Sequence, residues 1–448
     1  MQVRIRQAAS LESVRLRMRE GGGQDSRAGT LASSPPQLSV RIGTRWEPPG
    51  STRRSAPFRG AWKGSMDKQL KQASTRREFV KDAGVAAAGW TIIQPESVYG
   101  TPANSKAKVG LLGCGRRGSR VSKLFLKNPG TELTALADVY DDQIAAARKS
   151  LPAPDAQAYK SAQAILDADI DAIYIATPPY LHPEHFELAV ASGKHILMEK
   201  PVAVDSAGVR RVIAASKNVK PGRMVMVDYQ QRWGKDYRRA YEMVVGGEIG
   251  EIRMIRSAWL GGPLPIRKGH PESEERVRNW LFYKELSGDI IVEQNCHNID
   301  VVNWFTGVHP VSATGYGARV VRTDIGDVMD SLAVNYKLPD GRVYTHSANQ
   351  ISVGGYRDVG EYFFGTKGVM STSRRGYTTN VEGRSPSRQA TKYNITDDVI
   401  EYFVKGARGE IPPENAALFA AESTMTAIMG RLAIDLKREV TWDEAYNM

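Results

Sequence analysis

The segment Gly113-Cys114-Gly115-Arg116-Arg117-Gly118 follows a short apolar run, Lys108-Val109-Gly110-Leu111-Leu112, and precedes a helical stretch reaching about Lys127. Three glycines at this spacing, between a strand and a helix, can hold a pyrophosphate. Gly113 makes the tight turn, Gly115 lets the phosphates approach the backbone, and Gly118 lets helix and strand pack closely. The free N–H groups of the helix start then face the anion. Asp138 ends the next apolar run, 20 residues after Gly118. A carboxylate there bonds a ribose 2′-hydroxyl and repels a 2′-phosphate, which favours NAD over NADP. Arg116 and Arg117 offer charge to a phosphate, so NADP stays open.

A second set follows later strand ends. Thr177-Pro178-Pro179-Tyr180-Leu181-His182 comes after the apolar run 170–176, and Glu199-Lys200-Pro201 after His195-Ile196-Leu197-Met198. Read alone, Lys200 is an ammonium at a strand end. A third set is Glu293, His297 and Asp300, spaced by four and then three. Such spacing places them on one helix face. A carboxylate, an imidazole and a second carboxylate can line a polyol site and move protons. Only one histidine lies on that face, without a third strong ligand, so no metal is expected. Gln231-Arg232-Trp233 and Arg278-Asn279-Trp280 put donors beside tryptophan, as a carbohydrate pocket or ordinary packing would. Cys114 and Cys296 are read as small packing residues.

The elements that must position these residues change character along the chain. From Lys106 to about Met226, apolar runs alternate with helical stretches such as 184–192 and 205–217, the grammar of a parallel sheet with helices on both faces. Beyond it, alternating segments at 251–260, 311–321, 328–338, 342–352 and 359–365 predict a large, mostly antiparallel sheet. Helices are expected at 235–246, 288–306, 396–406 and 414–437. The expected fold class is thus α/β, with a doubly wound domain at 106–228 and a second α/β domain at 229–448.

Together, Thr177–His182 and Gly193-Lys194-His195-Ile196-Leu197-Met198-Glu199-Lys200-Pro201, downstream of the glycine loop, resemble the Gfo/Idh/MocA oxidoreductase family across about residues 106–448. The resemblance implies a Rossmann domain and Lys200 near a nicotinamide. Beside that positive ring, and partly desolvated, Lys200 is expected to have a lowered pKa. Gly113, Gly115, Arg116, Gly118, Asp138, Thr177, Pro178, His182, Glu199 and Lys200 become the expected cofactor contacts. His297 is the expected base, assisted by Lys200 and Glu293; Arg232, Trp280 and Asp300 are expected at the substrate. The family more often has Asp where this chain has Glu293. The implied activity is hydride transfer between nicotinamide and a hydroxyl of a sugar, cyclitol or sugar derivative, by a homo-oligomer. Alternatives are a redox-neutral NAD-dependent glycosidase or lyase, and a non-catalytic sugar- or cofactor-binding protein.

The chain has 448 residues and a formal charge of +12, but residues 1–65 alone hold 12 basic and 4 acidic residues. The remaining excess is small, which argues against a nucleic-acid partner. This Arg-, Ser-, Gly- and Pro-rich extension is expected to be disordered. At 66–105, Ser74-Thr75-Arg76-Arg77-Glu78-Phe79-Val80-Lys81 and a weakly apolar stretch resemble a twin-arginine export signal. Export of a folded protein to the periplasm predicts a tightly bound cofactor, carried out with the chain. Without a working signal the protein would be cytoplasmic. No run of 18 apolar residues predicts a membrane span.

Overall fold

The computed structural model describes residues 106–448; the basic extension and the expected export signal, with Arg76 and Arg77, lie outside the described residues. Six strands form the first sheet: β1 (Ala107–Leu112), β2 (Thr131–Ala137), β3 (Gln157–Tyr159), β4 (Ala172–Ile175), β5 (His195–Met198) and β6 (Val225–Val227). Their order is β3-β2-β1-β4-β5-β6, and every pair is parallel. Strands β4, β5 and β6 are buried at every position, as strands covered on both faces must be. The strand order reverses between β1 and β4. The turns after these two strands therefore diverge at a crevice, the place where open α/β sheets bind ligands.

The second sheet has nine strands: β7 (Ile252–Leu260), β8 (Ser312–Ala318), β9 (Ser331–Lys337), β10 (Val343–Asn349), β11 (Asp358–Gly365), β12 (Gly368–Ser373), β13 (Gly376–Val381), β14 (Ser387–Ala390) and β15 (Val440–Thr441). Only the β7–β10 pair is parallel. The hairpins β12–β14 extend the sheet beyond the five segments that alternation picks out, because β13 mixes buried, half-buried and exposed positions without a two-residue period and β14 is exposed throughout. Residues of β9 alternate between buried and exposed, so the sheet has one core face and one open face. The open face carries the exposed side chains of Met254, Tyr316, Val343 and Phe364.

The Ala417–Leu436 helix passes along the core face and packs on β8, on the Cys296–Thr306 helix and on the Ser206–Ser216 helix of the first domain. It is long and apolar enough to cross a membrane, but 78% of its most apolar window is buried within the fold. An all-round apolar helix of this kind is a core element. The first domain also takes in chain from far beyond residue 228. Val225 donates to the Glu414 carbonyl at 2.8 Å, and Val399, Phe403 and Val404 join the core around Leu111 and Phe125.

One carboxylate sits deep in the second domain. Glu361 on β11 accepts from Asn298 Nδ2 at 2.7 Å, Thr372 Oγ1 at 2.7 Å and the Tyr237 hydroxyl at 3.1 Å. Burial still pushes its pKa up to about 7. The folded state therefore holds a proton that the unfolded chain releases near the ordinary glutamate value, so stability falls as pH rises from about 4.5 to about 7. Urea unfolding at the two ends of this window should show Glu361→Gln removing up to about 3 kcal/mol of that fall. Asp289, pushed by burial to about 6, should keep part of it.

Candidate active site

The glycine loop behaves as its spacing requires. Gly113 has φ +99°, and a Cβ there would lie 2.6 Å from the Ala176 carbonyl carbon. At Gly118 a Cβ would meet the Gly113 oxygen at 2.0 Å, whereas at Gly115 it would enter open space. That space belongs to a cavity of about 910 Å³ between the first sheet and the second domain. The Arg116–Lys127 helix starts at Gly115 without a side-chain cap, leaving its first N–H groups for an anion. The residues present thus fit a dinucleotide pyrophosphate. Asp138 accepts from the Cys114 N–H at 2.8 Å and the Tyr140 N–H at 3.0 Å. Its carboxylate is thereby fixed beside the loop, although the residue is not on the cavity lining.

Arg116 and Arg117 both line the cavity, but Arg117 is committed to carboxylates. Its Nε donates to Glu199 Oε1 at 2.8 Å, and its guanidinium also pairs with Asp228. Tyr174 donates to the same Glu199 oxygen at 2.5 Å. One guanidinium cannot neutralise two buried carboxylates. Glu199 is held below the usual carboxylate range despite burial, chiefly by Arg117, while burial and Glu199 push Asp228 up to about 7. This network ties the glycine loop to the strand end that carries Lys200.

Lys200 follows Glu199, and the Lys200–Pro201 peptide bond is cis. Its Nζ lies 3.0 Å from Glu293 Oε1 and also donates to the Glu293 carbonyl. That carbonyl is available because the expected continuous helix is broken. Ile290–Glu293 ends at Gln294 and a new helix runs from Cys296 to Thr306, with Asn295 N–H reaching back to Ile290 at 3.0 Å. The lowering expected of Lys200 beside a nicotinamide is opposed by the protein's own groups. Burial does act against the ammonium, but Glu293 outweighs it and the pKa lies above the ordinary lysine value.

His297 opens on the same cavity as Lys200 and Glu293. Its ring stacks on Trp259 with centroids 5.9 Å apart and meets Tyr229 edge-on at 6.0 Å. Its Nδ1 is sealed from solvent with no hydrogen-bond partner among the described residues. Burial, then the charges of Arg374, Lys200 and Arg117, hold its pKa well below the ordinary histidine value. The imidazole is therefore neutral at neutral pH and offers a lone pair.

Asp300 shares the helix but not the cavity. It accepts from Arg232 Nε, at 2.9 Å to each oxygen, and from Ser423 Oγ at 2.8 Å. Arg232 in turn lies 3.9 Å over the Phe419 ring. Expected at the substrate, these two side chains instead make a fully buried pair behind the wall. The helix break does not account for this, because it separates Glu293 from His297, which do share the cavity; Asp300 is held behind the wall by its bonds to Arg232 and Ser423. Trp280 does line the cavity, as do Thr177, His182 and Glu199; Pro178 does not, while Pro179 does. His182 sits between the two loops with Nδ1 2.6 Å from the Pro201 carbonyl and Nε2 2.9 Å from the Thr177 carbonyl, and burial lowers its pKa, so its neutral ring donates to one of the two. Burial raises both cysteine thiols to about 12, so neither is a ready nucleophile. Among the described residues no group of three His, Cys, Asp or Glu side chains could hold a metal ion.

Trp259, Arg374 and Asp228 were not singled out by any motif. Trp259 comes from the end of β7 and Arg374 from the turn between β12 and β13. Only the strand order, with β12 beside β11 and β11 beside β7, brings them to His297. The adjacent arginines Arg374 and Arg375 are the one sequence feature that could have drawn attention there.

Residues 107–229 match the oxidoreductase family with an NAD-binding Rossmann fold, GFO_IDH_MocA, and residues 237–371 match the GFO/IDH/MocA C-terminal domain. Inositol 2-dehydrogenase of Rhizobium meliloti (strain 1021) is 27% identical over 271 residues, covering 60% of this chain and 76% of that protein. Myo-inositol 2-dehydrogenase of Thermotoga maritima is 22% identical over 352 residues, covering 75% and 99%. The solved structure of levoglucosan dehydrogenase with NADH and levoglucosan shares the fold at a TM-score of 0.64 and 18% identity, covering 75% of this chain and 99% of that one. The two matched domains together span more than half of the chain, which belongs to the Gfo/Idh/MocA oxidoreductase family. It is accordingly an NAD(P)-dependent dehydrogenase acting on CH–OH groups.

The glycine geometry separates packing from binding. Gly118→Ala forces the helix off β1 and should cost roughly 1–3 kcal/mol in urea unfolding, the range for overpacking. Gly115→Ala should leave unfolding nearly unchanged yet weaken cofactor affinity in a fluorescence titration, because its methyl enters the space a pyrophosphate needs.

Proposed function

We propose that this protein oxidises a hydroxyl of a sugar, cyclitol or sugar derivative with NAD as the preferred cofactor. The observation that carries this reading is the convergence of Lys200, Glu293 and His297 on one cavity whose far wall is the glycine loop. A dinucleotide held at the glycine loop would supply the hydride acceptor for the carbon that bears the hydroxyl. His297, neutral and sealed on one side, takes the hydroxyl proton. Lys200, kept protonated by Glu293, stabilises the developing alkoxide by hydrogen bonding and charge. General-base help of this kind contributes typically about 10²–10⁴-fold. Buried Arg232–Asp300 holds the His297 helix against Phe419 and Ser423 and acts by positioning.

Two features support NAD and its retention. The anionic Asp138 stands at the loop where a 2′-phosphate would come close. Chain 261–283 crosses the cavity mouth and supplies Leu264, Ile266 and Trp280 to its lining. Arg278 anchors that strap to the first domain through Asp142, at 2.7 and 2.8 Å, and lies 3.7 Å over the Tyr140 ring. A strap anchored at Arg278 would slow release. A retained cofactor must be regenerated in place, which favours either a two-substrate cycle or a redox-neutral lyase or glycosidase cycle.

The test is to load the protein with NAD or NADP and follow nicotinamide absorbance against a panel of aldoses and inositols. Reduction of NAD by panel members, with Asp138→Ala relaxing the preference against NADP, is the expected outcome. Bound cofactor that no panel member reduces would overturn the reading. Accumulated NADH would separate net oxidation from the redox-neutral cycle, which leaves none.

A further inference from the structure

The cavity is lined by a guanidinium whose buried Nε finds no hydrogen-bond partner among the described residues. It belongs to Arg374, beside His297, with its guanidinium carbon 5.2 Å from the Trp259 ring centroid. The carboxylates around it are already committed. Asp228 pairs with Arg117, Glu293 with Lys200, and Glu361 takes three donors of its own. Asp228 and Glu361 act on the guanidinium only through space, and a largely desolvated guanidinium without a hydrogen-bond partner is costly. Burial even depresses its pKa.

We propose that Arg374 binds a carboxylate on the substrate, making the substrate class a sugar acid: a uronate, a glycosiduronate or a carboxylated cyclitol. The inference rests on the dehydrogenase reading of the same cavity and narrows it. Charge counting selects a carboxylate over a phosphate. Of the three cations that act on His297, Lys200 is paired with Glu293 and Arg117 with Glu199 and Asp228, so Arg374 alone is left without a paired carboxylate, which suits a monoanion. The planar fork of arginine suits a carboxylate held through two parallel bonds. Trp259 offers its ring between this anchor and His297, where a sugar face can lie. Anchoring the carboxylate at Arg374 then fixes which ring hydroxyl reaches the imidazole.

The experiment uses matched probes: methyl glycosides of glucose, galactose and mannose, and the methyl glycosiduronates of the same sugars. Hydride transfer to bound cofactor is measured for wild type, Arg374→Gln and Arg374→Lys. Wild type should prefer the acids by about 10–100-fold in kcat/KM, the value of hydrogen bonds to a charged group. Arg374→Gln should erase that preference by lowering the acids far more than the neutral sugars, and Arg374→Lys should retain part of it. If Arg374→Gln fails to fold, the wild-type preference decides alone, together with a KM for the acids that rises with ionic strength while that for the neutral sugars does not. Equal use of acids and neutral sugars, or an equal loss of both in Arg374→Gln, overturns the inference and leaves the dehydrogenase standing. No cofactor reduction by either series or by the inositols overturns both.

Discussion

The ion pair between Lys200 and Glu293 is the contact through which the two domains make one site. Lys200 comes from the end of β5 in the first sheet, and Glu293 from the last turn of a short helix in the second domain. Their side chains are 10% and 17% exposed, so the attraction is little screened by solvent. The same ammonium takes the carbonyl of Glu293, which the helix break leaves free. Losing either partner would strand a charge in a dry wall. The pair also sets the protonation pattern of the site: it keeps Lys200 charged, and that charge adds to burial in keeping His297 neutral.

Behind this pair stands a second electrostatic set. Arg117 leaves the glycine loop to hold Glu199 and Asp228, so the backbone that would cradle phosphates and the backbone that presents Lys200 are tied through one guanidinium. His182 closes the opposite side from between the Thr177 and Pro201 carbonyls, donating to one of them. The chemistry therefore rests on loops, but on loops fastened to one another as well as to their strands.

What could be read from sequence was whatever is local. The glycine spacing, the acidic residue after β2 and the strand–helix alternation are short-range demands of backbone geometry, and the structure places them as expected. Glu293 and His297 were also legible, since four residues separate them. The helix break, the commitment of Arg117 to carboxylates, and the retreat of Arg232 and Asp300 into a buried pair were not. Each depends on a partner 68 to 111 residues away or on a carbonyl claimed by another domain. Arg374 and Trp259 meet because of strand order in a nine-stranded sheet, which no local pattern encodes.

The central claim is that buried, neutral His297 takes the substrate proton while Lys200 stays charged. Its most direct test is the pH dependence of single-turnover hydride transfer in wild type and His297→Asn. With His297 as base, the wild-type rate should stay flat through neutrality and fall only well below the ordinary histidine range, because the imidazole resists protonation. His297→Asn should be about 10²–10⁴-fold slower and lose that acid limb. An acid limb at or above the ordinary histidine value, or one that survives in His297→Asn, would contradict the account.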